Sequence, residues 1–177
     1  VSVTGLTPLN IGETYTPLGI SMIMIVLQLG GIGIMSIGTF FWLLMRKKIG
    51  MRERQLIMAD HNQYTLAGIV QLIRQVVVLI LTIELIGGLI FTFYLLKDFE
   101  TFGEALLNGL FMSVSATTNV GFDLFGNSLQ QYFNDYFVQT ITMILIVLGA
   151  IGFPVLAEVR TYFSKHKKKN FRFSLFT

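Results

Sequence analysis

Ser113-Val114-Ser115-Ala116-Thr117-Thr118-Asn119-Val120-Gly121-Phe122-Asp123 is a polar, glycine-centred run lying between apolar segments of membrane length. Lipid cannot hydrogen-bond free N–H and C=O groups, so non-helical backbone at membrane depth must be buried in protein or line a watery path. Carbonyls released from a helix in such a place can replace the water around a cation, as rings of carbonyls do in K+-selective filters. Gly121 is the residue of this run that can take a positive φ and turn its carbonyl out of the normal course of the chain. With that loop at its centre, the chain is expected to be an all-α integral membrane protein.

The composition agrees. The 177 residues are 53% hydrophobic and 13% charged, with a mean hydropathy of +0.68, and the apolar runs are too long for a soluble core of this size. The lack of Cys excludes disulfides and thiolate metal sites. Leu18 to Met45 and Val76 to Leu96 supply 28 and 21 residues, against the roughly 20 needed to cross a bilayer. A third span is predicted from Tyr136 to Phe163. Between the second and third, Thr101 to Thr117 is too short and too polar to cross. Phe102, Ala105, Leu106, Gly109 and Leu110 nevertheless fall at helical spacing there, with Glu104 in the first turn. That pattern predicts a re-entrant pore helix, whose C-terminal end presents partial negative charge to Thr118–Gly121. Leu124 to Asn134, rich in Asn and Gln, then leads into the third span as an outside loop.

Charge placement gives sidedness. Arg46-Lys47-Lys48 with Arg52 and Arg54, and Lys165-His166-Lys167-Lys168-Lys169, follow the first and third spans, and the positive-inside rule makes both cytoplasmic. The loop at Gly121 then approaches from the other side. Glu84 lies about eight residues inside the second span, where a bare carboxylate is expensive. It is expected to face protein or be paired, with a structural hydrogen bond to a neighbouring helix preferred over a cation-attracting role. Gly30, Gly31, Gly33, Gly38, Gly149 and Gly152 suit close helix packing. Asp123 carries two readings, concentrating cations electrostatically or capping a turn. His61 and His166 lack a second ligand at metal spacing, and no nucleophile motif, P-loop or dinucleotide turn is present, so an enzyme is not expected. Nothing points to nucleic acid.

The chain also repeats itself. Met24-Ile-Val-Leu-Gln-Leu-Gly-Gly-Ile-Gly33 matches Met143-Ile-Leu-Ile-Val-Leu-Gly-Ala-Ile-Gly152 at an offset of 119, and the same offset carries Arg46-Lys47-Lys48 onto Lys165-His166-Lys167. Ser2-Val3-Thr4-Gly5-Leu6 falls beside Thr118-Asn119-Val120-Gly121-Phe122 if the second copy has three more residues in its outer loop. One unit is then an outward helix, a pore helix, a filter loop and an inward helix. Residues 1–48 are the second half of a first unit and 49–75 a cytoplasmic loop and helix approach. Residues 76–169 are a whole second unit, with pore helix 101–117, filter 118–122 and inward helix 136–163, and 170–177 start a link to a third. Beginning without Met, the chain is expected to be a piece of a longer polypeptide with two more such units after Thr177.

Val3-Thr4-Gly5-Leu6 and Thr118-Asn119-Val120-Gly121-Phe122, each set before a long Gly-rich inward helix, resemble the filters of the Trk/Ktr/HKT superfamily of K+ and Na+ transporters. Phe122-Asp123 and the overall spacing look most like the bacterial Ktr membrane subunit, over essentially the whole chain. The resemblance implies four helix–pore-loop–helix units around a pseudo-fourfold pore in the bacterial plasma membrane. It also implies K+ as the transported ion and a homodimer that binds a cytosolic nucleotide-binding ring subunit of the RCK/KTN type. Main-chain oxygens of Val3, Thr4 and Gly5 in one quadrant and Asn119, Val120 and Gly121 in the next would hold the ion, with Asp123 available for cation attraction. A Na+/K+ transporter of the same family is the nearest alternative. An ordinary tetrameric pore-loop channel would not carry tandem, non-identical units on one chain, and a scaffold without flux has no use for the Gly121 loop.

Overall fold

The computed structural model describes Gly5, Thr7, residues 10–31 and 69–151, and Val155; side chains are described from Arg74 onward in the second stretch. Residues 1–32 and 80–150 form one compact unit, and residues 33–79 and 151–177 a second. The packing described below lies within the first.

Asn10 is in an extended conformation, and its side chain accepts the Gly12 N–H at 3.1 Å, starting the single turn α1, Ile11–Thr14. Tyr15 leaves helical geometry, and α2, Pro17–Gly31, begins on a proline whose missing N–H costs nothing in a first turn. Thr16 serves its start, with Oγ1 accepting the Gly19 N–H at 3.4 Å. Asn10 three residues before Glu13 is the capping signature of this turn in the sequence.

The long helix α3, Ile69–Leu95, contains the one stretch among the described residues that is long and apolar enough to cross a membrane, Arg74–Leu95 with mean hydropathy 2.5. Its 27 residues make it about 40 Å long at 1.5 Å per residue, more than a hydrocarbon core of about 30 Å. It starts before the predicted span and stops one residue short of its predicted end. A short turn leads to α4, Phe102–Thr117, within one residue of the expected pore helix. A 3₁₀ turn at Gln130–Tyr132 precedes α5, Tyr136–Ala150. Asp135 caps α5, its Oδ1 accepting the N–H of Phe137 at 3.1 Å and of Val138 at 3.3 Å. The described parts of α2 and α5 are shorter apolar helices of 15 residues each. The described residues are all-helical, with no strand among them. The basic clusters at 46–54 and 165–169, His61, and Gly33, Gly38 and Gly152 lie outside the described residues.

α4 is the wall shared by two cores. Its Phe111 and Val114 pack with Ile11 of α1 and with Ile20 and Leu27 of α2, while Met112 and Ala116 pack with Phe91 and Leu95 of α3 and Val138 and Leu145 of α5. Every residue from Phe111 to Thr118 is buried. Small residues allow the close crossings. A Cβ on Gly109 would stand 2.6 Å from the Thr92 N of α3, and one on Gly149 would stand 1.9 Å from the Thr117 carbonyl oxygen. Apolar side chains turned away from these cores, such as Leu85, Ile86, Phe93, Met143 and Val147, are exposed on α3 and α5.

Candidate functional site

The C-terminal half of α4 carries buried hydroxyls that all find acceptors. Thr117 Oγ1 donates to the Ser113 carbonyl at 2.9 Å, Thr118 Oγ1 to the Val114 carbonyl at 2.7 Å, and Ser113 Oγ to the main-chain oxygen of Glu84 on α3 at 2.8 Å. The helix stops at Thr118, at φ −80° and ψ −2°. The chain then enters the left-handed region at Asn119, φ +56°, and again at Gly121, φ +79°. Asn tolerates that region better than most side chains, and Gly does so freely.

The hydrogen bonds of this turn fix where its carbonyls point. The N–H groups of Val120 and Gly121 are both directed back at the Ser115 carbonyl, at 3.1 and 3.5 Å. No peptide bond is cis among the described residues. Across a trans peptide the carbonyl lies opposite the N–H, so the oxygens of Asn119 and Val120 point away from the end of α4. Ser115 Oγ donates to the Phe122 carbonyl at 2.6 Å and turns that one back towards the helix. Ser115 therefore brackets the loop at both ends, a part that the sequence pattern of the loop did not single out.

Gly5 stands against this loop. Its φ is +66°, and a Cβ there would lie 2.0 Å from the Val120 oxygen and 3.9 Å from the Gly121 Cα. The sequence therefore paired two glycines that the fold brings together, each in the left-handed region. Val3 and Thr4 lie outside the described residues. The corresponding position on Gly121 meets nothing within 4 Å. Gly121 also lines a cavity of about 400 Å³, together with polar Ser115, Asn119 and Asp123 and with Met112 and Ile146 among others. The two segments also meet further on, where a Cβ on Gly12 would lie 2.1 Å from the Leu124 oxygen.

Asp123 organises the following turn, its carboxylate accepting the N–H of Gly126 at 2.6 Å and of Ser128 at 3.1 Å. At the start of α5, Tyr94 donates to Asp135 at 2.5 Å and Lys97 pairs with it at 3.5 Å while standing 3.7 Å from the centre of the Tyr94 ring. The Tyr94 hydroxyl, helped by the capping amide of Val138 and by Lys97, holds the Asp135 carboxyl below the usual carboxylate range. Glu84 is buried and accepts a hydrogen bond from Gln28 Nε2 of α2, the neighbouring-helix bond expected of it. No group of three or more His, Cys, Asp or Glu side chains is placed to hold a metal among the described residues. What the loop offers a cation is main-chain oxygen.

Residues 1–176 match the TrkH family, described as cation transport protein. The chain belongs to this family. It is 55% identical over 178 residues to Ktr system potassium uptake protein D of Bacillus subtilis, covering 100% of this chain and 39% of that protein. It is 34% identical over 176 residues to Ktr system potassium uptake protein B of the same organism, covering 99% of this chain and 38% of the relative. The potassium/sodium uptake protein NtpJ of Enterococcus hirae is 29% identical over 162 residues, 92% of this chain and 36% of that protein. The chain thus spans well under half the length of these relatives.

Proposed function

We propose that this TrkH-family chain supplies two adjacent quadrants of a K+-conducting filter in which main-chain oxygens of Val3, Thr4 and Gly5 and of Asn119, Val120 and Gly121 replace the hydration shell of the ion. The observation that carries the reading is the contact between Gly5 and the Val120 carbonyl, which joins two left-handed glycine loops at the end of one buried helix. The helices are arranged as pore-loop units, with α4 as the pore helix. The open side of Gly121 leaves room for a third loop to stand there as Val120 stands against Gly5. Four units in one polypeptide then close a pseudo-fourfold pore, and residues 1–48 and 76–169 are one half-unit and one whole unit of it.

The relatives named for potassium uptake support K+ as the ion. The relative named for potassium and sodium uptake favours one second reading, a Na+/K+ transporter of the same family. The basic loops 46–54 and 165–169 are cytoplasmic, and the filter loops open to the outside of a bacterial plasma membrane. Asp123, whose oxygens serve the turn, still adds negative charge beside the cavity. From the superfamily resemblance, the membrane subunit is a homodimer regulated by a cytosolic nucleotide-binding ring partner.

The test is K+ and Na+ uptake by the full-length protein in transport-deficient cells, with and without Gly121→Ser. A side chain held in the left-handed region costs about 1–2 kcal/mol, so K+ preference over Na+ is expected to fall by roughly 5- to 30-fold. Uptake ratios equal to wild type remove Gly121 from the filter.

A further inference from the structure

Glu84 is a buried ionisable group outside the Gly121 loop, and its hydrogen bonding is incomplete in a specific way. It lies in the middle of α3, 4% exposed. Its Oε2 accepts from Gln28 Nε2 on α2. Its Oε1 and the Gln28 Oε1 are both buried without a hydrogen-bond partner among the described residues. Two acceptor atoms left over on a pair that is already joined is the pattern of a missing hydrogen. An ionised carboxylate has no proton to offer, whereas a carboxylic acid has one. A buried carboxylate facing an acceptor also carries the full cost of desolvation.

We infer that Glu84 is a protonation site, carried as the neutral acid, and that its Oε1–H donates to Gln28 Oε1. With the Gln28 N–H already donated to Oε2, this closes an acid–amide ring of two hydrogen bonds between α3 and α2. One proton satisfies both orphaned atoms. A monovalent metal ion at the same place would need a fuller shell of oxygens than this pair supplies. No charged neighbour among the described residues substitutes for the proton. α2 carries no ionisable side chain, and α5 only Tyr136 in its first turn. α4 has Glu104, nine residues before Ser113. α3 itself has Arg74 and Tyr94, ten residues to either side, or about 15 Å along the axis.

The ring is tied to the loop. The Glu84 main-chain oxygen takes the Ser113 hydroxyl of α4, and Ser113 in turn accepts from Thr117 at the helix end. Glu84 and Gln28 are therefore positioning residues for the helix that carries Asn119 to Gly121. The sign follows from the proton: the second hydrogen bond is complete at low pH and is lost as pH rises through the ionisation of Glu84.

Infrared difference spectra of the full-length protein, wild type minus Glu84→Gln at neutral pH, test the site directly. A protonated-carboxyl C=O band that disappears on alkaline titration is expected. Carboxylate bands at neutral pH overturn the proposal. Carboxylate bands that move when Na+ replaces K+ assign the pair to a metal ion, and overturn it as well. These outcomes do not depend on whether the Gly121 loop conducts. K+ uptake against pH adds the functional arm. Glu84→Gln can form an amide–amide ring with both bonds and no ionisable proton, so the alkaline decline in wild-type uptake is expected to vanish in it. A decline of equal size in both proteins overturns the positioning role.

Discussion

The Val120 carbonyl oxygen is close enough to Gly5 that any side chain there would collide with it, at 2.0 Å from the first added carbon. That contact, more than glycine content, ties the two loops together. The internal repeat, with three more residues in the second outer loop, matched Gly5 with Gly121, and both take the positive φ that glycine adopts freely. It could not reveal Ser115, since a serine in a buried helix looks like any small residue until the Phe122 carbonyl is seen to accept its hydroxyl at 2.6 Å. Ser115→Ala removes that bond and frees the carbonyl below Gly121. A hydrogen bond of this kind is worth about 1 kcal/mol, so K+ preference over Na+ is expected to drop about fivefold, with Ser115→Thr retaining most of it. Uptake competition between the two ions in the full-length protein checks this. An unchanged ratio in Ser115→Ala means that the Phe122 carbonyl is held by other contacts.

Among the elements, α4 was the most legible, because its apolar spacing, the acidic first turn and the polar run after it all agree on one short helix. α1 and the cap of α5 were not. A single turn shows no periodicity, and nothing in the residue order marks Asp135 as the acceptor of the first amides of α5. The Gln28–Glu84 pair was half legible: burial demanded a partner for Glu84, but nothing in the order of residues names Gln28, which lies 56 positions away. The Asp135 cap gives a pH prediction. Its carboxyl is held below its ordinary 3.8, mainly by the Tyr94 hydroxyl. The charged form therefore contributes stability above that ordinary value, and the contribution is lost as pH falls through the lowered one. Asp135→Asn should melt below wild type at pH near 7, with the gap closing progressively on acidification below about pH 4. A gap that is the same at both ends of that titration means that the charge of Asp135 adds nothing to the cap.

At the scale of the molecule, α4 stands between two cores, with α1 and α2 on one side and α3 and α5 on the other. The end of α4 carries the loop, and the first loop leans on the second through Gly5. The unfilled side of Gly121, which lines the cavity with Asn119 and Asp123, is where a further loop is proposed to complete the ring. Apolar length made the all-helical class readable from the sequence, while the order of units, drawn from the charge clusters and the internal repeat, belongs to the proposal. The direction of the carbonyls was not readable, because it rests on which amides the Ser115 oxygen accepts. The most direct measurement is therefore a structure of the full-length protein in Rb+, a K+ surrogate visible by anomalous scattering. The expected result is a peak within direct coordination distance of the Asn119 and Val120 oxygens and of the Gly5 loop. Rb+ bound elsewhere in the passage, with those oxygens hydrogen-bonded to protein or facing bulk solvent, would contradict the carbonyl filter.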